Sequence, residues 1–290
     1  MAAPFPTCYL NGDYLPIGEA RVSPLDRGFL FGDGAYEVMP VYGGRPFRLE
    51  AHCTRLSRSL AELRMHDPLS REEWRGMFAS LIERNGGGNQ YLYWQVTRGT
   101  DSGRNHAPLP DIRRTIFAFA APLPVTPQSV LTEGLACVTA TDTRWGRCDI
   151  KSTALLANVL LRQLAVDAEA AETILLRDGQ LTDASASAVH AVIGGELRTP
   201  PNSREILPST TRTVVEELAT RAGVPWRVSP VREAELRGAE EIWISAATRE
   251  VQPVTRLDGR PVGKGRPGAA WRRVYDAFQR WKLELREQPW

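Results

Sequence analysis

Apolar positions recur along this chain with two periods, one near 2 and one near 3.6 residues, and the switches between them mark out the elements. Cys8-Tyr9-Leu10 and Tyr14-Leu15-Pro16-Ile17 flank Asn11-Gly12-Asp13, a tight hairpin signal. A glycine-rich bend, Arg27-Gly28-Phe29-Leu30-Phe31-Gly32-Asp33-Gly34, leads into an apolar strand over 35–42, which Gly43-Gly44 turns into Pro46-Phe47-Arg48. Leu49, Cys53, Leu56, Leu60 and Leu63 share one face of a helix expected over about 50–63, which also carries His52 and Arg55. Ser70-Arg71-Glu72-Glu73 is a capping box, so a second helix runs through Arg84 until Asn85-Gly86-Gly87-Gly88 ends it. Strands are expected over 91–98 and 115–120. The polar loop between them, with Arg104, His106, Pro108 and Pro110, is long enough to be mobile or functional.

Pro122-Leu123-Pro124-Val125-Thr126-Pro127 forbids both helix and central strand, which makes it the linker. The expected domains are a small N-terminal one over 1–121, a linker over 122–128 and a larger one over 129–290. After the linker come a strand over 135–141, a polar loop from Asp142 to Lys151, and a helix with Leu156, Val159, Leu160 and Gln163 on its apolar stripe. Lys151 is placed where loop becomes helix, with Ser152 or Thr153 as cap. Hairpins turn at Asp178-Gly179 and Gly194-Gly195. Helices over about 209–222, 232–237 and 269–285 and strands over 225–228 and 241–245 complete the chain. Hairpins mixed with intervening helices give an α+β fold in both halves, not a doubly wound sheet.

With 290 residues, 42% hydrophobic and 24% charged, the chain is an ordinary globular one of two-domain length. A net charge of +2 gives no reason to expect nucleic acid or an anionic membrane as partner. No apolar run reaches the ~20 residues of a membrane span, and Met1-Ala2-Ala3-Pro4-Phe5-Pro6 lacks the regions of a secretory signal. Cys8, Cys53, Cys137 and Cys148 show no paired spacing, so reduced thiols in a cytoplasmic protein are expected, with no metal site.

Lys151 is the residue with distinctive chemistry. The helix dipole disfavours a cation at a helix start, and an uncharged amine can attack a carbonyl to form a Schiff base. A solvated surface lysine is the plain alternative, as a solvated helix arginine is for Arg55. Taken together, Asp26-Arg27-Gly28, Phe31-Gly32-Asp33-Gly34-Ala35-Tyr36-Glu37, His52-Cys53-Thr54-Arg55-Leu56 and Arg144-Trp145 through Asp149-Ile150-Lys151-Ser152 resemble the fold-type IV pyridoxal-phosphate enzymes. That family holds branched-chain aminotransferases, D-amino acid aminotransferases and aminodeoxychorismate lyases. The resemblance spans nearly the whole chain and implies a two-domain α+β fold, its larger domain carrying an antiparallel or pseudo-barrel sheet.

It also implies roles. Lys151 becomes the Schiff-base lysine and proton shuttle of pyridoxal 5′-phosphate. Arg55, Thr210 and Thr211 at a helix start, and Ala247 with Thr248 in a second turn, meet the cofactor phosphate. In that turn the family's middle hydroxyls are alanines here. Asp183 faces the pyridine nitrogen, one methylene shorter than the family's glutamate, and Ala188 stands where the family has asparagine. Tyr36 and Val38 lie on the substrate side. Arg104 and His106 match the Arg-x-His that D-amino acid aminotransferases lend across a dimer to hold the substrate carboxylate, in a loop one residue longer than usual. The implied activity moves an amino group from a D-amino acid, D-alanine first, to a 2-oxo acid such as 2-oxoglutarate, in a homodimer. A branched-chain L-aminotransferase, an aminodeoxychorismate lyase and a cofactor-holding protein without turnover stay open.

Overall fold

The computed structural model describes residues 3–286. They fall into two compact units: the chain up to Pro124 together with Ile150–Leu155, and Val125–Asp149 with Leu156–Glu284.

The first unit contains β1 (Thr7–Leu10), β2 (Asp13–Pro16), α1 (Arg27–Phe31), β3 (Gly34–Tyr42), β4 (Arg45–Pro46), α2 (Leu49–Glu62), α3 (Arg71–Arg84), β5 (Gln90–Thr97) and β6 (Thr115–Pro122). Its six strands pair antiparallel in the order β2-β1-β6-β5-β3-β4. The β1–β2 turn needs positive φ at both central residues, and Asn11 (54°) and Gly12 (116°) supply it. Strand alternation puts Met39, Val41, Leu92, Trp94, Val96 and Ala118 in a core with Leu56 and Leu60 of α2 and Trp74, Phe78 and Leu81 of α3. The capping box at Ser70 forms in both directions, Glu73 N–H to Ser70 Oγ at 3.2 Å and Ser70 N–H to Glu73 Oε2 at 2.7 Å.

The second unit contains α4 (Gln128–Thr132), β7 (Leu135–Thr141), α5 (Leu156–Asp167), β8 (Glu172–Arg177), β9 (Gln180–Ala184), β10 (Ala188–Ile193), β11 (Glu196–Thr199), α6 (Thr210–Arg221), β12 (Trp226–Val228), α7 (Glu233–Arg237), β13 (Glu241–Ala246), β14 (Glu250–Leu257), β15 (Arg260–Pro261) and α8 (Ala269–Arg286). Its sheet runs β12-β11-β10-β13-β14-β7-β8-β9, with β15 on β14. The β11–β12, β14–β7 and β7–β8 pairs are parallel and the rest antiparallel. The sheet curls until β9 lies near β10. Both sheets agree with an α+β fold.

Three features differ from the expectation. Strand β14 is absent from it because Pro253 and a register shift after Val254 break the pattern, yet the strand is central, between β13 and β7. Helix α5 starts at Leu156, so Lys151 lies five residues before it and no helix dipole acts on the amine from there. The stripe of α5 also points outward: Leu156, Val159 and Leu160 are 60–72% exposed, whereas Leu161 and Ala165 are buried.

Trp94 is fully buried, its ring 4.7 Å from Phe78 and 6.5 Å from Trp74. Trp94→Ala should destabilise the first unit by about 3–5 kcal/mol in a denaturant melt. A loss under about 1 kcal/mol would mean the cluster is not tightly packed.

Candidate active site

Main-chain pairing decides where Lys151 lies. The Tyr36 N–H donates to the Lys151 carbonyl at 3.0 Å, Thr153 N–H donates to the Gly34 carbonyl at 3.0 Å, and Ala35 and Ser152 form an antiparallel bridge. The residues after Asp149 are thus fastened to the start of β3 instead of opening a helix. Gly34 is tightly enclosed there: a Cβ would come within 2.8 Å of the Val96 carbonyl oxygen on β5 and 3.2 Å of Thr153 Oγ1. At Gly32, φ is 66° and a Cβ would meet Ala154 Cα at 3.0 Å, so the glycine-rich bend is a seat for residues 151–154. Lys151 is half-buried, its N–H bonded to Ser59 Oγ at 3.2 Å and its Nζ 4.2 Å above the centroid of the Tyr36 ring. Among the described residues it makes no ion pair. Tyr36 and Val38 share the open face of the sheet with Tyr93, which stacks on Tyr36 at 5.6 Å.

The opposite phase of β3 carries Glu37 into the core, completely buried. Arg55 grips it with two bonds of 2.7 Å, and His52 Nδ1 meets it at 2.8 Å. Burial alone would raise the Glu37 carboxyl, but Arg55 and His52 outweigh it and hold it at about 2. Burial pushes His52 below its ordinary value, Glu37 only partly offsetting it. Arg55 is therefore a fixed guanidinium on α2 rather than a solvated one. The sequence reading gave Glu37 no role. Its signal was a carboxylate on the buried phase of an apolar strand, facing His52, Arg55 and Ser59 at i, i+3 and i+7 of the helix.

In the second unit, Asp183 is buried near the end of β9, with Arg144 Nη1 at 3.3 Å from Oδ2. Burial pushes its carboxyl up to about 6, with Arg144 pulling it back. Arg144 is oriented by Asp142 through bonds of 3.0 and 2.9 Å, and Thr182 Oγ1 donates to Asp142 at 2.9 Å. The turn after Asp183 is braced by Glu172, which accepts from the Ser185 and Ser187 hydroxyls. Thr210 and Thr211 open α6, whose cap Ser209 accepts from Arg212 N–H at 3.2 Å. First-turn amides have no carbonyl four residues back and face an anion readily. Ala247 and Thr248 form the turn from β13 to β14, closed by Arg249 N–H to the Ala246 carbonyl at 3.0 Å. His190, which burial and Arg212 bring down to about 3, is neutral and meets Ser245 Oγ at 2.8 Å just before that turn.

Arg104 and His106 lie on the first unit's long loop, exposed, each against the Phe31 ring. Among the described residues they make no hydrogen bond, ion pair or ring contact with Tyr36 or Lys151 of the same chain.

A model of the amino-transferase class IV family matches residues 34–257. The D-alanine aminotransferase of Bacillus licheniformis is 37% identical over 269 residues, 93% of this chain and 94% of that protein. That of Staphylococcus aureus strain MSSA476 is 36% identical over 274 residues, covering 94% and 96%. Among solved structures, the branched-chain amino acid aminotransferase of Escherichia coli superimposes with a TM-score of 0.88 at 23% identity, covering 99% of this chain and 97% of that one.

The Glu37 cluster makes the first unit acid-sensitive. Its folded-state value lies below the ordinary carboxylate range, so the stabilisation is complete above pH ~4.3 and is lost as pH falls towards about 2. The size is on the order of 3 kcal/mol. Glu37→Gln should flatten the denaturant-melt profile over that window and cost about 3–5 kcal/mol at pH 7 by leaving Arg55 without its carboxylate. An unchanged pH profile would contradict the ion pair.

Proposed function

We propose, since this chain belongs to the amino-transferase class IV family, that it is a pyridoxal 5′-phosphate enzyme moving the amino group of a D-amino acid, D-alanine foremost, to a 2-oxo acid such as 2-oxoglutarate. The side chains present suit that cofactor. Lys151 offers an amine that makes no ion pair among the described residues, Asp183 offers a buried carboxyl beside Arg144, and Thr210, Thr211, Ala247 and Thr248 offer the hydroxyls and amides of two turns for a phosphate. Arg55, locked by Glu37, offers a cation of fixed orientation. Bound, the cofactor supplies an electron sink for the bonds at the substrate α-carbon.

In this reading Nζ of Lys151 would hold the cofactor through its aldehyde and, once displaced by the incoming substrate amine, would be the free base that takes the proton from the substrate α-carbon and returns it. Its backbone, pinned to β3, sets how far that amine travels. Asp183 faces the ring nitrogen. A carboxyl at about 6 is already largely ionised at neutral pH, and a cation opposite would favour the anion further, so Asp183 could keep that nitrogen protonated. Arg144, tied to Asp142, keeps Asp183 turned the right way. Arg104 and His106 hold the substrate carboxylate, the guanidinium fork matching its two oxygens. In this reading they come from the neighbouring copy; within one chain both side chains lie against Phe31. A homodimer is further supported by the outward apolar stripe Leu156, Val159, Leu160 and Leu164 of α5, a surface that a monomer would leave wet. No helix of the described residues is long and apolar enough to cross a membrane, and we place the enzyme in the cytoplasm.

The likeness to D-alanine aminotransferases over 93–94% of the chain carries the choice of substrate. The likeness to the branched-chain enzyme carries the fold alone. Purified enzyme with 2-oxoglutarate should turn over D-alanine with a kcat/KM at least about 100-fold above L-leucine, and Arg104→Gln should lower that value about thirty-fold, mostly through KM. The reverse preference would make it a branched-chain enzyme. Release of pyruvate from aminodeoxychorismate without an acceptor would make it a lyase, and no turnover at all would leave a cofactor-binding protein.

A further inference from the structure

Arg27 lies in α1, its side chain 4% exposed, and it makes no hydrogen bond or ion pair to any group named above for cofactor or substrate other than the main chain at His106. Nε donates to Asp33 Oδ2 at 2.9 Å. Nη1 donates to Asp101 Oδ2 at 3.2 Å and to the Asn105 carbonyl at 2.6 Å, and Nη2 donates to the His106 carbonyl at 2.9 Å. One planar guanidinium thus ties the rigid bend before β3 to the start and the middle of the loop that carries Arg104 and His106. The Phe31 ring, one turn further along α1, completes the grip. It lies 4.8 Å from the Arg27 guanidinium, 5.5 Å from that of Arg104 and 5.6 Å from the His106 ring.

Main-chain bonds start the same loop on a fixed path: Arg27 N–H to the Gly99 carbonyl at 2.9 Å and Asp101 N–H to the Leu25 carbonyl at 3.3 Å. Gly99 is obligatory there, with φ at 104° and Arg113 O 1.9 Å from where its Cβ would be. Between the two anchors, residues 102–104 make no hydrogen bond to the guanidinium.

Resting on the reading of Arg104 and His106 as the carboxylate-holding pair, we propose that Arg27 is a positioning residue for substrate recognition: it fixes the backbone at Asn105 and His106, and Phe31 fixes the two side chains, so that a carboxylate meets a preformed pair of donors. A preformed pair is worth affinity because no loop has to be ordered when the substrate arrives. Lysine in its place has a single ammonium, which cannot reach both carbonyls and both carboxylates as the planar fork does.

The test uses the holoenzyme and measures KM and kcat for D-alanine together with Ki for propionate, which keeps the carboxylate and lacks the amine. Arg27→Gln and Arg27→Lys should each raise KM and Ki about ten-fold or more while kcat stays within about three-fold and the absorbance of the bound cofactor is unchanged. Phe31→Leu, a milder change that keeps an apolar side chain, should move KM and Ki in the same direction by a smaller factor. Arg104→Gln is the control for the reading itself. If it raises KM and Ki while all three other variants leave both within about two-fold, Arg27 does not position the pair. If the Arg27 variants instead lose cofactor and kcat with KM unchanged, the residue is merely structural and the proposal is overturned. If Arg104→Gln moves neither constant, the carboxylate reading falls and this inference with it.

Discussion

A few main-chain hydrogen bonds between the start of β3 and residues 151–153 are the constraint on which the rest depends. They take a segment that a helical pattern in the sequence would have claimed and lay it along a strand, where its lysine stands beside Tyr36 and over α2. Such bonds hold the Lys151 backbone without engaging its side chain, so the amine can swing while its root stays still. Gly32 makes the approach possible, because a side chain there would meet the Ala154 backbone, and Gly34 has no room for one between β5 and the Thr153 side chain. The glycine-rich bend is therefore a packing device.

Within each unit the buried charges are arranged differently, and they divide into two kinds. Glu37 and Arg55 form a pair whose partners are fully engaged, so the carboxylate stays ionised and the guanidinium stays fixed over the whole physiological range. Asp183 is the other kind: burial disfavours its charge and one arginine compensates only in part, which leaves it responsive to whatever faces it. Arg144 links the two requirements in the second unit, since Asp142 locks its orientation and leaves one edge for Asp183. The shorter side chain at 183 is thus accompanied by a rigid support, with Glu172 bracing the turn that follows.

Most of the fold was legible because its signals are local. The Asn11-Gly12 hairpin, the Ser70 capping box, the glycine turns at 179 and 194–195 and the strand over 135–141 depend on residues within a few positions of each other. What escaped depends on distant partners. Strand β14 looks broken by Pro253 until β13 and β7 flank it. The start of α5 was misplaced because the competing partner of residues 151–153 is a strand more than a hundred residues earlier. The α5 stripe follows from periodicity, but periodicity does not say what covers it, and in this chain it faces outward. The positions named for the cofactor rest on the set as a whole, through its resemblance to a family. Glu37, Asp142 and Arg27, whose work is to hold other residues, could be assigned only once their contacts were visible.

The central claim is that Lys151, and no other amine, holds the cofactor. The chain has only two further lysines, Lys264 and Lys282, the latter paired with Glu250, so the question has a clean answer. Reduction of the purified holoenzyme with borohydride, followed by proteolysis and peptide mass mapping, should place the phosphopyridoxyl mass on the peptide containing Lys151 alone. Its appearance on Lys264 or Lys282, with the Lys151 peptide unmodified, would contradict the account.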